Sequence, residues 1–232
     1  MEDKTPFTQF AELYREKGLT DSENQFVQDG IIDSDLFYKQ ATRILFIAKE
    51  HNALDKSYNQ SDAIIINDSY SYPKWWNHRV YLQFSHRISE WAHGILSGFS
   101  VCEKINSQQK HNALKSIAFT NVKKTMGGAV SNSDLINSYI VNSRELLHRQ
   151  IAEISPTVII CCFRYNWYVE RLFNLDMKQL TPNGFGFATW NNIDVINFYH
   201  PSSRKNKSWL YTQLAEAVKY VVAKPSESQA LQ

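Results

Sequence analysis

Four short apolar runs punctuate the chain: residues 43–49 (RILFIAK), 115–120 (KSIAFT), 157–163 (TVIICCF) and 193–199 (IDVINFY). Three of them are almost continuously apolar rather than alternating, the pattern of a parallel strand covered by helices on both faces. Between the runs the period changes. Over residues 76–99 apolar side chains recur at Val80, Phe84, Ile88, Trp91 and Ile95, and over 134–154 at Ile136, Ile140, Leu146, Leu147 and Ile151. Spacings of three and four predict amphipathic helices. A last helix, over 208–223, buries Leu210, Leu214, Val218 and Val221 ahead of Pro225 and a polar tail, 225–232, that reads as disordered. The order is β-α-β-α-β-α-β-α. Right-handed crossovers then predict an α/β chain: a three-layer α/β/α sandwich around a central, mostly parallel four-stranded sheet. Residues 1–40 read as a helical extension packed on it, so that 1–224 forms one domain.

Composition narrows the class. With 43% hydrophobic and 21% charged residues among 232, a disordered or collagen-like chain is excluded. No apolar run approaches the roughly 18 residues of a spanning helix, and the opening MEDKTPF lacks the basic and apolar regions of a signal peptide, so a cytoplasmic protein is expected. The formal net charge of +2 is too small to announce a polyanionic partner, which must be sought in local patches. Cys102, Cys161 and Cys162 form no paired framework. Adjacent residues of one strand point to opposite faces, so Cys161 and Cys162 read as reduced core residues.

In open α/β sheets the ligand crevice lies beyond the carboxyl ends of the strands. Each run here ends in a polar cluster: Glu50-His51-Asn52, then Asn121-Val122-Lys123-Lys124, then Arg164-Tyr165-Asn166, and finally His200-Pro201-Ser202-Ser203-Arg204. Converging on one rim, these clusters supply a carboxylate, an amide, an imidazole and several cations, a set suited to acid–base work on a polar ring held next to phosphates.

The segments ILFIAKEHN, IAFTNVKKT and VINFYHPSS, in that order and each closing a strand, resemble the first, second and last signature segments of the uracil-DNA glycosylase superfamily. The likeness covers residues 43–222 in layout and about twenty residues in specific motif. It implies that Glu50 is the water-activating acid, that Asn121 bonds the edge of a flipped base, and that His200 stabilises negative charge on the departing pyrimidine. Ser202 and Ser203 would hold a phosphate, with no metal or other cofactor and, for want of a fourth cysteine, no iron–sulfur cluster. In members whose acid is followed by Pro-Tyr, the Tyr crowds the pyrimidine C5. Asn52 stands at that place here, a smaller gate that could admit a C5-enlarged cytosine such as the glucosylated hydroxymethylcytosine of some phage DNA. Excising such a base would be antiviral defence.

Trp75 or Trp76 could stack on the base, although a helix starting there must also bury one face. Where the family often carries a Leu wedge, the chain has Arg204, followed by Lys205 and Lys207. With Lys123 and Lys124 these form an expected DNA-phosphate rim, although scattered lysines are more usually a solvated face. Taken singly, Glu50 and Asn121 could be helix caps and His200 a turn residue. His86, Glu90 and His93 share a helix without a third metal ligand at suitable spacing and read as structural. Gly184-Phe185-Gly186 reads as a turn leading into a strand. The expectation is a monofunctional DNA glycosylase that flips a modified pyrimidine and leaves an abasic site. Its alternatives are uracil repair, a non-catalytic DNA-binding module of the same fold, and an enzyme of free nucleosides.

Overall fold

The computed structural model describes residues 6–19, 29–52, 82–99, 105–127, 130–179 and 185–222. The helices are α1 (Pro6–Glu16), α2 (Ser34–Tyr38), α3 (Leu82–Leu96), α4 (Ser107–Lys115), α5 (Ser133–Ile154), α6 (Asn166–Phe173) and α7 (Lys207–Val222). The strands are β1 (Gly30–Ile31), β2 (Ile44–Ala48), β3 (His51–Asn52), β4 (Ala118–Asn121), β5 (Met126–Gly127), β6 (Val158–Cys161), β7 (Lys178–Gln179), β8 (Gly186–Trp190) and β9 (Ile193–Asn197).

All four apolar runs contain strands, and these lie side by side in the order β4-β2-β6-β9, every pair parallel. The sheet is wider than the four strands expected. It has seven among the described residues, with β1 antiparallel to β4 at one edge and β8 and β7 antiparallel beyond β9 at the other. Two of the extra strands are only two residues long and carry no readable pattern. The third, β8, returns to β9 through Asn191 and Asn192, both at positive φ (49° and 64°). Two consecutive left-handed residues in a two-residue loop twist in the sense of the flanking strands, which is why Asn suits both positions of this hairpin.

The pleat divides the core in two. Ile44, Phe46 and Ala48 of β2 face one layer and Leu45 and Ile47 the other. In the first layer lie Phe84, Ile88, Trp91 and Ile95 of α3, Ala113 and Leu114 of α4, and the Leu210, Leu214, Val218 stripe of α7. The second holds Phe10 and Tyr14 of α1, Ile136, Ile140 and Ile151 of α5, and Tyr168, Val169 and Leu172 of α6. Cys161 and Cys162 are buried, unpaired and on opposite faces. Helices α5 and α7 begin one residue before the expected bounds. The expected 76–99 helix is seen as Leu82–Leu96, and residues 76–81, Cys102, Gly184 and the tail 225–232 lie outside the described residues.

One polar cluster is sealed inside. Lys124 Nζ donates to Asp29 Oδ1 and Oδ2 at 2.8 and 3.1 Å and to Gln150 Oε1 at 2.7 Å, and also reaches Thr120 Oγ1. Gln150 Nε2 donates back to Asp29 Oδ1 at 2.9 Å, and the Asn121 N–H donates to Asp29 Oδ2 at 2.7 Å. Burial pulls the Lys124 pKa down while the Asp29 charge opposes the shift. Removing one member of such a pair strands the other in a low-dielectric interior. Lys124→Met is expected to cost about 3–5 kcal/mol of stability by urea denaturation. A loss under about 1 kcal/mol would show that the cluster holds nothing together.

Candidate active site

Because β4, β2, β6 and β9 are parallel, their carboxyl ends share one edge of the sheet. Asn121 is the last residue of β4, Glu50 lies two residues beyond β2, and His200 three beyond β9. The strand ladder continues past β2 and β4: the Val122 N–H donates to Ala48 O at 3.0 Å and the Lys123 N–H to Lys49 O at 2.9 Å. Further on, β3 pairs with β5, His51 opposite Met126 and Asn52 opposite Gly127. Two chain segments, 48–52 and 122–127, thus run together away from the sheet.

Glu50 sits between them. Its Oε2 accepts from Lys123 Nζ at 3.1 Å, and the two side chains are 5% and 1% exposed. The Lys123 ammonium also lies 5.4 Å from the centre of the Tyr139 ring. Lys123 and Lys124 are therefore not rim cations open to a phosphate, as the sequence suggested. Both are internal, because each has a buried carboxylate to neutralise it. Gly127 is the other condition for this geometry. A Cβ there would fall 1.9 Å from Glu50 Oε2 and 2.1 Å from its carboxyl carbon. Asn121, two residues before Lys123, is buried.

His200 is half-buried at the end of β9, where Pro201 and Ser202 turn the chain. The Ser202 N–H donates to His200 Nδ1 at 3.2 Å, and the Ser203 N–H to His200 O at 2.9 Å. A ring nitrogen that accepts a backbone N–H carries no proton, so the proton of the neutral ring resides on Nε2. Phe84 packs against the imidazole with ring centres 5.5 Å apart. Burial, with repulsion from Lys49 and Arg87, pushes the His200 pKa down to about 4. At neutral pH the residue is an uncharged Nε2–H donor flanked by two cations.

Arg87 and Lys49 were not singled out from sequence. The signal for Arg87 was its place on the buried stripe of α3, three residues after Phe84 and four before Trp91. Its buried guanidinium donates to Ser203 O and ties the His200 turn to that helix. Lys49, next to Glu50, lies 4.5 Å over the Tyr168 ring, and burial lowers its pKa. Of the expected basic rim, Arg204 and Lys205 are exposed, and Lys205 Nζ lies 6.0 Å from the Trp209 ring centre. Ser202 is exposed and Ser203 half-buried. Lys207 remains partly exposed while pairing with the buried carboxylate of Glu90, one of the residues read as structural. Only the backbone of Asn52 is described, and Trp75 and Trp76 lie outside the described residues.

A fixed carboxylate and a neutral imidazole donor on one rim can respectively stabilise a cation and orient water, and stabilise an anion. Among the described residues there is no group of three His, Cys, Asp or Glu side chains placed to hold a metal ion, and no helix long and apolar enough to cross a membrane. No protein-family model matches the chain, and no curated protein matches it.

This geometry has a consequence for pH. The unfolded chain takes up a proton at His200 near pH 6.5 and the folded chain only near 4, so stability falls as pH drops through that window, by up to about 3 kcal/mol. An NMR titration should find the His200 ring neutral at pH 5, and a midpoint near 6.5 would remove its special environment. It has another for Gly127. Glu50 is held by Lys123 and cannot swing away freely, so Gly127→Ala should destabilise the fold by about 1–3 kcal/mol in urea denaturation. An unaltered midpoint would mean that the loop yields without strain.

Proposed function

We propose that the chain is a DNA glycosylase that flips a modified pyrimidine nucleotide, a C5-enlarged cytosine such as glucosylated hydroxymethylcytosine, and hydrolyses its N-glycosidic bond to leave an abasic site. The observation that carries this reading is the division of charge on the rim: Glu50 locked against Lys123 on one side, and His200 held as an uncharged Nε2–H donor on the other. N-glycosidic hydrolysis needs those two functions. As the bond from C1′ to the base breaks, its electron pair leaves with the pyrimidine and the sugar becomes oxocarbenium-like. The Glu50 carboxylate stabilises that cation and orients a water, whose oxygen bonds to C1′ and whose proton passes to the carboxylate. His200 Nε2–H donates to the developing anion on the base, with Lys49 and Arg87 adding positive potential. A neutral donor suits this step because it stabilises the anion without first having to be protonated at physiological pH.

Asn121 is assigned to the base edge and Asn52 to the space beside C5. The Ser202–Lys205 segment and Lys207 take backbone phosphates. Lys123 is withdrawn from that set and becomes the group that fixes Glu50. The enlarged-base preference rests on the resemblance alone: Asn52 stands two residues after Glu50, where members that exclude a C5 substituent carry a Tyr.

The test is single-turnover cleavage of duplexes containing uracil, cytosine, hydroxymethylcytosine or its glucosylated form, followed by alkaline scission at abasic sites. The glucosylated duplex should be cut, and Glu50→Gln should slow the reaction by at least about 10² while leaving DNA affinity intact. Cleavage of uracil alone would replace this reading with ordinary uracil excision. Binding with no cleavage of any duplex would make the protein a DNA-binding module.

A further inference from the structure

The rim carries one feature that the glycosylase chemistry leaves unused. After β6 the chain passes through Arg164, a non-glycine residue at φ +68°, and enters α6 with Tyr165 52% and Trp167 37% exposed. Large aromatic rings at a surface are costly to leave in water, and two of the large exposed apolar side chains stand within three residues at the start of α6. The segment is held rigidly. The Arg164 N–H donates to Phe198 O at 2.8 Å, and Asn197 Nδ2 donates to Asn166 Oδ1 at 2.8 Å, fastening the start of α6 to the end of β9.

Cations accompany the rings. The Arg164 guanidinium carbon lies 5.2 Å from the centre of Tyr165 and 5.9 Å from that of Tyr199, the neighbour of His200. Trp167 stacks on the buried Tyr168 with centres 3.7 Å apart, and Tyr168 in turn carries Lys49, the neighbour of Glu50, over its ring. Through these cation–ring and ring–ring contacts the exposed aromatics lead to Tyr199 and Lys49, the chain neighbours of His200 and Glu50.

We propose that Tyr165 and Trp167, with the Arg164 guanidinium beside Tyr165, form a stacking platform for unpaired nucleotide bases next to the one that is excised. The inference rests on the DNA-glycosylase reading for the identity of its ligand. Positive charge beside flat, exposed rings is the combination that holds a single strand: the cation meets phosphate or ring face while the bases stack, with little preference among them. A protein ligand would leave Arg164 without a systematic anionic partner. A single nucleic-acid strand supplies one at every residue.

The test is fluorescence anisotropy with the full-length chain and a fluorescein-labelled oligothymidylate, across a series of salt concentrations. Tyr165→Ala/Trp167→Ala should weaken binding about tenfold or more, with the slope of log affinity against log salt unchanged, because neutral rings displace no counterions. Tyr165→Phe/Trp167→Phe, which keeps the stacking faces, should stay within about threefold of the wild type. The proposal is overturned if the wild type does not bind the strand, if the alanine pair binds as tightly as the wild type, if the phenylalanine pair loses as much as the alanine pair, or if the salt slope falls. Should the wild type excise no base while the alanine pair still loses strand binding at constant slope, the excision reading fails and the platform stands.

Discussion

An ammonium group inside a protein must meet a carboxylate, and the end of β4 places two of them side by side. Lys123 and Lys124 are both almost wholly buried, and the price of that burial is met by Glu50 in one case and Asp29 in the other. The two pairs pull in different directions. Asp29 precedes the edge strand β1, so its pair with Lys124 ties that edge to β4. Glu50 follows β2, so its pair with Lys123 ties together the two central strand ends. Neither bridge is a large net source of stability, because desolvation consumes most of the attraction. Their effect is to allow one arrangement of the loop 121–127 and to penalise the others, which is what a pre-organised carboxylate requires.

The same edge of the sheet treats its two principal groups differently. Glu50 is fixed by a specific partner and by the missing side chain of Gly127. His200 is fixed by backbone: a turn whose own N–H groups take up Nδ1 and the carbonyl, secured from behind by Arg87. Burial, with the charges of Lys49 and Arg87 adding to it, keeps the imidazole unprotonated at neutral pH. The carboxylate is thus held beside an ammonium and the imidazole is held neutral, and under the proposed reading this difference divides the acid–base roles between them.

The layered fold was legible because buried parallel strands leave continuous apolar runs and the covering helices leave periods of three and four. All four central strands and the faces of α3, α5 and α7 follow from those two patterns. The short edge strands did not, since two residues carry no period. The strand after Gly184-Phe185-Gly186 was legible as β8, but its hairpin with β9 was not, because the signal is Asn191-Asn192 turn chemistry, easily read as a polar loop. At the rim, the positions of Glu50, Asn121 and His200 could be read from strand ends. The environment of Lys123 and Lys124 could not, because adjacent lysines after a strand look solvated until Glu50 and Asp29, 73 and 95 residues away along the chain, are brought to them. Arg87 was hidden for the opposite reason: a cation on an otherwise apolar helical stripe reads as an interruption, whereas it spans from that stripe to the turn carrying His200.

The proposed chemistry depends most on a nucleotide sitting between Glu50 and His200 with its sugar toward the first and its base toward the second. A crystal structure with a duplex carrying a non-cleavable 2′-fluoro analogue of the glucosylated nucleotide measures this directly. The expected result is an extruded nucleotide with C1′ about 3–4 Å from a water held by Glu50 and a base oxygen within hydrogen-bond distance, about 3 Å, of His200 Nε2. A nucleotide left stacked in the duplex, or extruded with its base turned away from His200, would contradict the assignment of this rim as the site of glycosidic cleavage.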